Sequence, residues 1–224
     1  MNRLVFSVFL IFALSLATNC KKTKQEDTQL IDSEKSKTNK NLYLLEVAEP
    51  LLKDETINAI IEIPAGTLEK WEVNKTSGII ERDSINGVPR TIQYIGYPGN
   101  YGMIPKTLLS KENGGDGDPL DILVLGPPVE RGNIVNCKII GVLNLIDRGE
   151  NDDKIIAVSM DSPLHNINSI EELNDKHKGI SEILKLWFTN YKGDVKVEAK
   201  GFKSKEEAYT ILVNSIEDYQ LKHK

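Results

Sequence analysis

The sequence is poor in several residue types at once. Its 224 residues include three histidines, His165, His177 and His223. No two are spaced to share a helix face, which excludes a histidine-built zinc site. Cysteine is limited to Cys20 and Cys137. Positive charge is not in excess: the formal net charge is −5, and no basic stripe dominates, so non-specific nucleic-acid binding is excluded. A bilayer-spanning helix needs about 20 apolar residues, whereas the N-terminal apolar run, residues 4–16, has 13. No Gly-x-Ser-x-Gly string and no Cys/His arrangement offers a covalent nucleophile, and there is no internal repeat.

What is present is ordinary for a globular chain: 40% hydrophobic and 27% charged residues, consistent with one domain of about 170–200 residues plus a tail. Arg3, the apolar run and "LATNC" read as an export signal over residues 1–19. Ending at Cys20, this segment resembles a bacterial lipoprotein signal, which implies a lipidated Cys20 and a membrane-anchored protein facing an extracytoplasmic space. Residues 20–41 are polar and mixed in charge, a composition that cannot offset its ordering entropy and is expected to be a disordered tether. With Cys20 lipidated or cut away, Cys137 has no partner for a disulfide within the domain.

The folded domain is expected over residues 42–224. Residues 58–64, 121–125, 133–146 and 154–159 are rich in β-branched side chains and bounded by Gly, Pro, Asn or Asp, and are read as strands. Two helices are expected after them. Ser169 with Glu172 forms a capping box ahead of an apolar stripe, Ile180, Ile183, Leu184, Trp187, Phe188 and Tyr191. Ser204 with Glu207 opens a second helix with Ala208, Ile211, Leu212 and Ile216 on its inner face. Strands followed by helices indicate an α+β fold.

Acidic residues are concentrated where strands begin and end. "GGDGDPLDILVL" carries Asp116, Asp118 and Asp121, "IDRGENDDK" carries Asp147 and Asp152, and Glu62 lies within the apolar "AIIEIP". Carboxylates facing one cleft raise each other's pKa unless cations neutralise them, and oxygen ligands without His or Cys suit Mg²⁺, Mn²⁺ or Ca²⁺. The Gly-Asp-Gly-Asp-Pro string is also a good turn. An EF-hand loop fits poorly, because Leu120 takes its fifth position, Pro119 stiffens it and a strand follows. A phosphatase of the DxDx(T/V) type would need an apolar strand before the aspartates, where "LLSKENGG" stands.

From residue 58 to residue 222 the chain closely resembles the family I soluble inorganic pyrophosphatases, through "IEIP", "YPGNYG", "DGDPLD", "GVLNLIDRGENDDK" and "FTNYK" in that order. The resemblance implies a small closed, OB-like β-barrel flanked by two C-terminal helices. The implied activity is Mg²⁺-dependent hydrolysis of inorganic diphosphate by metal-activated water, with several ions per site and Mn²⁺ as an alternative metal. It makes Asp116, Asp121, Asp147, Asp152 and Glu62 metal ligands and Asp118 the general base. Lys70, Arg90, Tyr101, Lys154, Tyr191 and Lys192 become phosphoryl-binding groups, with Tyr97 in support. Arg82 competes with Arg90 for that role, and the short spacing to Tyr97 selects Arg90. Bacterial relatives commonly form homo-oligomers and family members usually act in the cytoplasm, the alternative to the anchored location. The alternative to turnover is an exported lipoprotein that binds cations or polyphosphate without hydrolysing them.

The chemistry independently asks for these residue types. Water attacking a polyanion meets negative charge while the leaving phosphate gains more. Metal ions answer both difficulties, a carboxylate takes the proton, and Lys and Arg stabilise the developing charge.

Overall fold

The computed structural model describes residues 43–224. The expected export signal (1–19), Cys20 and the tether to residue 41 lie outside the described residues. Among the described residues no helix is long and apolar enough to cross a membrane.

The main sheet is built from β1 (Ile57–Ile63), β6 (Asn100–Met103), β7 (Asp121–Leu125), β10 (Lys154–Ser159), β8 (Ile134–Asp147) and β11 (Val197–Lys203), hydrogen-bonded in that order. β1 also pairs with β8, which closes the sheet into a ring. The named pairings are antiparallel except that of β7 with β10. A short β9 (Glu150–Asn151) turns back on the end of β8. Two small hairpins stand outside the ring: β2 (Trp71–Val73) with β3 (Ile80–Arg82), and β4 (Ser84–Ile85) with β5 (Val88–Pro89).

Alternate residues of the same strands supply two different cores, which explains why these strands read as continuous apolar runs. Leu123, Leu125, Ile140, Leu143, Ile156 and Val158 face one core, while Ile122, Val124, Ile139, Val142, Ile155 and Ala157 face the other. The fourteen-residue β8 serves four neighbours, β1, β9, β10 and β11, and register shifts mark a bulge at Ile140 opposite β10 and one at Lys200 of β11. Gly141 sits at one such crossing. A Cβ there would lie 2.6 Å from the Lys203 carbonyl and 2.5 Å from the Ile170 side chain.

The helical region differs from the sequence expectation. The serine half of the capping box is formed, the Ser169 hydroxyl accepting from the Glu172 N–H at 3.1 Å, while the Glu172 carboxylate accepts from the Asn168 N–H at 2.7 Å; the helix so opened, α1 (Ile170–Lys176), ends after seven residues. The apolar stripe belongs to a separate α2 (Ile180–Asn190) that starts behind Gly179 at φ 90°, a conformation glycine adopts without a Cβ penalty. With α3 (Lys205–Lys222), opened by Ser204 as expected, the described residues hold three C-terminal helices rather than two. β11 lies between α2 and α3, so strands do not all precede helices. Leu184, Trp187 and Phe188 are buried as the stripe requires, but Ile183 is 53% exposed. On α3, Ala208 and Leu212 are buried in the second core, with Ile211 and Ile216 packed against it.

Candidate active site

One cavity of about 620 Å³ gathers the acidic and basic residues that the sequence scatters over 130 positions, from Glu62 to Lys192. Adjacent strands bring them there. On the ring, β1 supplies Glu62, β6 supplies Tyr101, β7 supplies Asp121 and β10 supplies Lys154.

Glu62 owes its position to an irregularity. In β1, Ile61 pairs with Gly102 and Ile63 with Tyr101, so Glu62 is the extra residue of a β-bulge. Bulges of this kind re-aim a side chain out of the regular alternation, and here the carboxylate is turned into the cavity wall. It is 5% exposed and accepts a hydrogen bond from the Val73 N–H at 2.7 Å. Burial, with the Asp121 charge adding to it against the Val73 bond, pushes its pKa up to about 8.

The aspartate loop is held by its own backbone. Leu109 exchanges hydrogen bonds with both sides of it, donating to the Asp118 carbonyl and accepting from the Gly117 N–H, each at 2.8 Å. Gly115 packs so closely on Leu109 that a Cβ would meet it at 2.6 Å. Asp116 Oδ1 accepts from the Asp118 N–H at 2.9 Å. Burial raises the Asp116 pKa, and the neighbouring Asp121 adds to the effect.

Ammonium groups stand against most of the carboxylates. Lys154, 2% exposed, donates to Asp121 Oδ2 and Asp152 Oδ1, both at 2.5 Å. Burial alone would lower its pKa, but the two carboxylates reverse this and raise it. Burial raises the Asp152 pKa, with Lys154 opposing and Asp121 reinforcing. Lys192 donates to Asp147 Oδ2 at 2.6 Å, Lys70 pairs with Glu72, and Lys75 pairs with Asp118. Among the described residues, Asp147 Oδ1 is the buried side-chain oxygen without a hydrogen-bond partner. Also among them, no three His, Cys, Asp or Glu groups converge as a ready-made metal site. The donor set nevertheless fits a hard cation: it is all oxygen, contains one orphaned buried acceptor and holds carboxylates whose charge is penalised by burial.

The tyrosines form a packed unit. Tyr191 stacks on Trp187 with ring centres 4.4 Å apart and planes 10° from parallel. Tyr97 lies 5.2 Å from Tyr101 and 6.4 Å from Tyr191, centre to centre. Tyr101 and Tyr191 line the cavity, whereas Tyr97 is buried behind them. Burial, reinforced by Asp121 near Tyr101 and by Tyr97 near Tyr191, raises both phenols above their usual pKa. The two arginines part company. Arg90 lines the cavity, its guanidinium 2.5 Å from Asp83 Oδ2. Arg82 turns away to Glu69 at 2.8 Å, and its Nη2 donates to the Arg90 carbonyl at 3.2 Å.

Thus Glu62, Lys70, Arg90, Tyr101, Asp116, Asp118, Asp121, Asp147, Asp152, Lys154, Tyr191 and Lys192 share one cavity. The neighbour Asp153 faces elsewhere and accepts from the Leu145 N–H at 3.1 Å. Sequence reasoning missed Glu72, Lys75 and Arg148, which also line the cavity. Glu72 could have been found, since it lies two residues from Lys70 and alternate strand residues share a face. Lys75 and Arg148 sit in turns and carry no periodic signal.

A closed barrel whose strand ends converge acidic and cationic groups on one cavity defines a protein that handles a polyanion together with cations. Residues 59–220 match the family model described as inorganic pyrophosphatase. The inorganic pyrophosphatase of Xylella fastidiosa (strain 9a5c) is 37% identical over 171 residues, covering 74% of this chain and 90% of that protein. Among solved structures, inorganic pyrophosphatase from Schistosoma japonicum superposes with a TM-score of 0.73 at 28% identity, covering 77% of this chain and 69% of that one. The Helicobacter pylori enzyme gives 0.66 at 32% identity, covering 78% and 99%. The chain belongs to the inorganic pyrophosphatase family.

Proposed function

We propose that this chain hydrolyses inorganic diphosphate to two phosphates and that Mg²⁺ is its metal cofactor. The observation that carries the reading is the single cavity in which Asp116, Asp118, Asp121, Asp147 and Asp152 meet Lys70, Arg90, Lys154, Lys192 and two tyrosine hydroxyls. Asp116, Asp121, Asp147, Asp152 and Glu62 are the residues to hold divalent cations. When bound, such ions lower the pKa of water toward neutrality and shield phosphoryl oxygens.

The protein groups do the rest. Asp118 accepts the proton of the attacking water as the new P–O bond forms and the bridging P–O bond breaks. Lys70, Arg90, Lys154 and Lys192 stabilise charge on the phosphoryl oxygens by fixed position. Burial keeps the Tyr101 and Tyr191 phenols protonated, so they donate hydrogen bonds to the polyanion instead of repelling it. Phosphate release from diphosphate, measured with Mg²⁺ and again with the metal chelated, tests the proposal. Release that does not depend on metal would overturn the metal part, and no release the whole.

The proposal extends to location. Arg3, the apolar run at residues 4–16 and Cys20 support a lipid-anchored enzyme facing an extracytoplasmic space.

A further inference from the structure

The turn between β2 and β3 puts a lysine on the candidate base. Lys75 lies 43 residues before Asp118, and its ammonium pairs with Asp118 Oδ1. The turn does not need this contact. Asn74 Oδ1 accepts from the N–H groups of Thr76 and Ser77 at 2.8 and 3.0 Å, and the Gly78 N–H closes onto the Asn74 carbonyl at 2.7 Å. Beyond the turn, Val73 is tied to Glu62, so the backbone that carries Lys75 is anchored to the cavity wall.

Lys75 differs in freedom from the other ammoniums on these aspartates. The Lys154 side chain is 3% exposed and wedged between two carboxylates, and that of Lys192 is 19% exposed. The Lys75 side chain is 57% exposed. It can therefore swing into solvent at small cost, since exposed ion pairs hold weakly. A divalent cation held by Asp116 and Asp121, which flank Asp118 in sequence, would meet this ammonium as a like charge.

We propose that Lys75 is a built-in counter-cation: it neutralises Asp118 until a divalent cation arrives, must withdraw for that cation to be seated, and so sets how tightly the site takes up metal. The proposal rests on reading the aspartate cluster as a metal site. It makes Lys75 a positioning residue that acts through Asp118 and need not touch the substrate.

The test is calorimetric titration of the metal-free full chain with MgCl₂ alone, without diphosphate, at low and high salt. Lys75→Gln is expected to tighten Mg²⁺ binding by about two- to five-fold at low salt, the weight of one exposed ion pair, and the gap should close at high salt. Lys75→Arg should keep the unaltered affinity. In an Asp118→Asn background the gain from Lys75→Gln should shrink, because the two residues then have no charge pair to break. Affinity unchanged or weakened by Lys75→Gln would overturn the inference, as would a gain undiminished by Asp118→Asn. Failure of the unaltered chain to bind Mg²⁺ would instead remove the metal reading, and the inference with it.

Discussion

Lys154 and Asp121 begin neighbouring parallel strands, and the register that pairs Ile155 with Ile122 brings the Lys154 ammonium within 2.5 Å of the Asp121 carboxylate. Asp152 accepts from the same nitrogen at the same distance. Lys154→Met should therefore leave two carboxylates facing each other without their counter-charge. Removing one partner of a buried ion pair costs about 3–5 kcal/mol. Thermal denaturation of the metal-free protein should show a loss of this size, and Mg²⁺ should recover part of it by replacing the missing charge.

Asp118 and Asp121 should separate base from ligand. Asp118→Asn keeps the size of the side chain and removes its basicity, so hydrolysis should fall by about 10² or more while total Mg²⁺ uptake persists. Asp121→Asn should weaken both. Near-normal hydrolysis by both variants would contradict the roles proposed for them.

Arg90 and Arg82 should differ in kind. Arg90 lines the cavity, and replacing its planar fork by a point charge in Arg90→Lys should raise KM for diphosphate by about tenfold or more, the scale of a lost charge-assisted hydrogen bond. Arg82 reaches the backbone carbonyl of Arg90, Thr91, Glu69 and the face of the Trp71 ring. Steady-state kinetics of Arg82→Lys should be close to those of the unaltered chain. The opposite ranking would mean that Arg82 is the phosphate ligand.

Glu62 should give the metal-free protein a pH-dependent stability. Its folded pKa, pushed up to about 8 mainly by burial, lies above its unfolded value. The folded state therefore binds the proton more tightly than the unfolded one. Its contribution is fully present below about pH 4.5 and is lost as pH rises through about 8, on the order of 5 kcal/mol in all. Denaturant titrations in chelator should show stability falling across that window, and Glu62→Gln should flatten the fall. A profile identical in both proteins would remove Glu62 as the cause.

Location has a direct test. In a bacterial host, the unaltered chain should fractionate with membranes and be released by detergent, and Cys20→Ala should move it to the soluble fraction. Recovery of the unaltered protein from the cytosol with residues 1–19 attached would overturn the anchored location and leave the catalytic proposal untouched.

Much of this protein was determined locally. The apolar runs that became β7 and β10 have the bounds expected from their β-branched residues and flanking turn residues, and both serines cap their helices by accepting from the expected Glu N–H. These features depend on residues a few positions apart, which a linear reading samples fully. The hairpin of β4 and β5 was legible too, since Asn86-Gly87 between Ile85 and Val88 turns through positive φ at both residues, but the sequence reading passed over it. The aspartates could be read as ligand chemistry from their residue types alone.

Other features needed the third dimension. That Glu62 leaves the strand alternation depends on a bulge produced by pairing with β6, forty residues away in sequence. That Arg90 faces the cavity and Arg82 does not depends on how two short hairpins fold back on Lys70 and Glu69. The split between α1 and α2 falls at residues 177–179, where α1 ends at His177 and Gly179 takes left-handed backbone just ahead of the apolar stripe. The Lys75–Asp118 pair depends on how the separate β2–β3 hairpin is held to β1, where the Val73 N–H donates to Glu62. Sequence periodicity reports which face of an element a residue occupies, whereas convergence is decided by register, bulges and closure among elements distant in the chain.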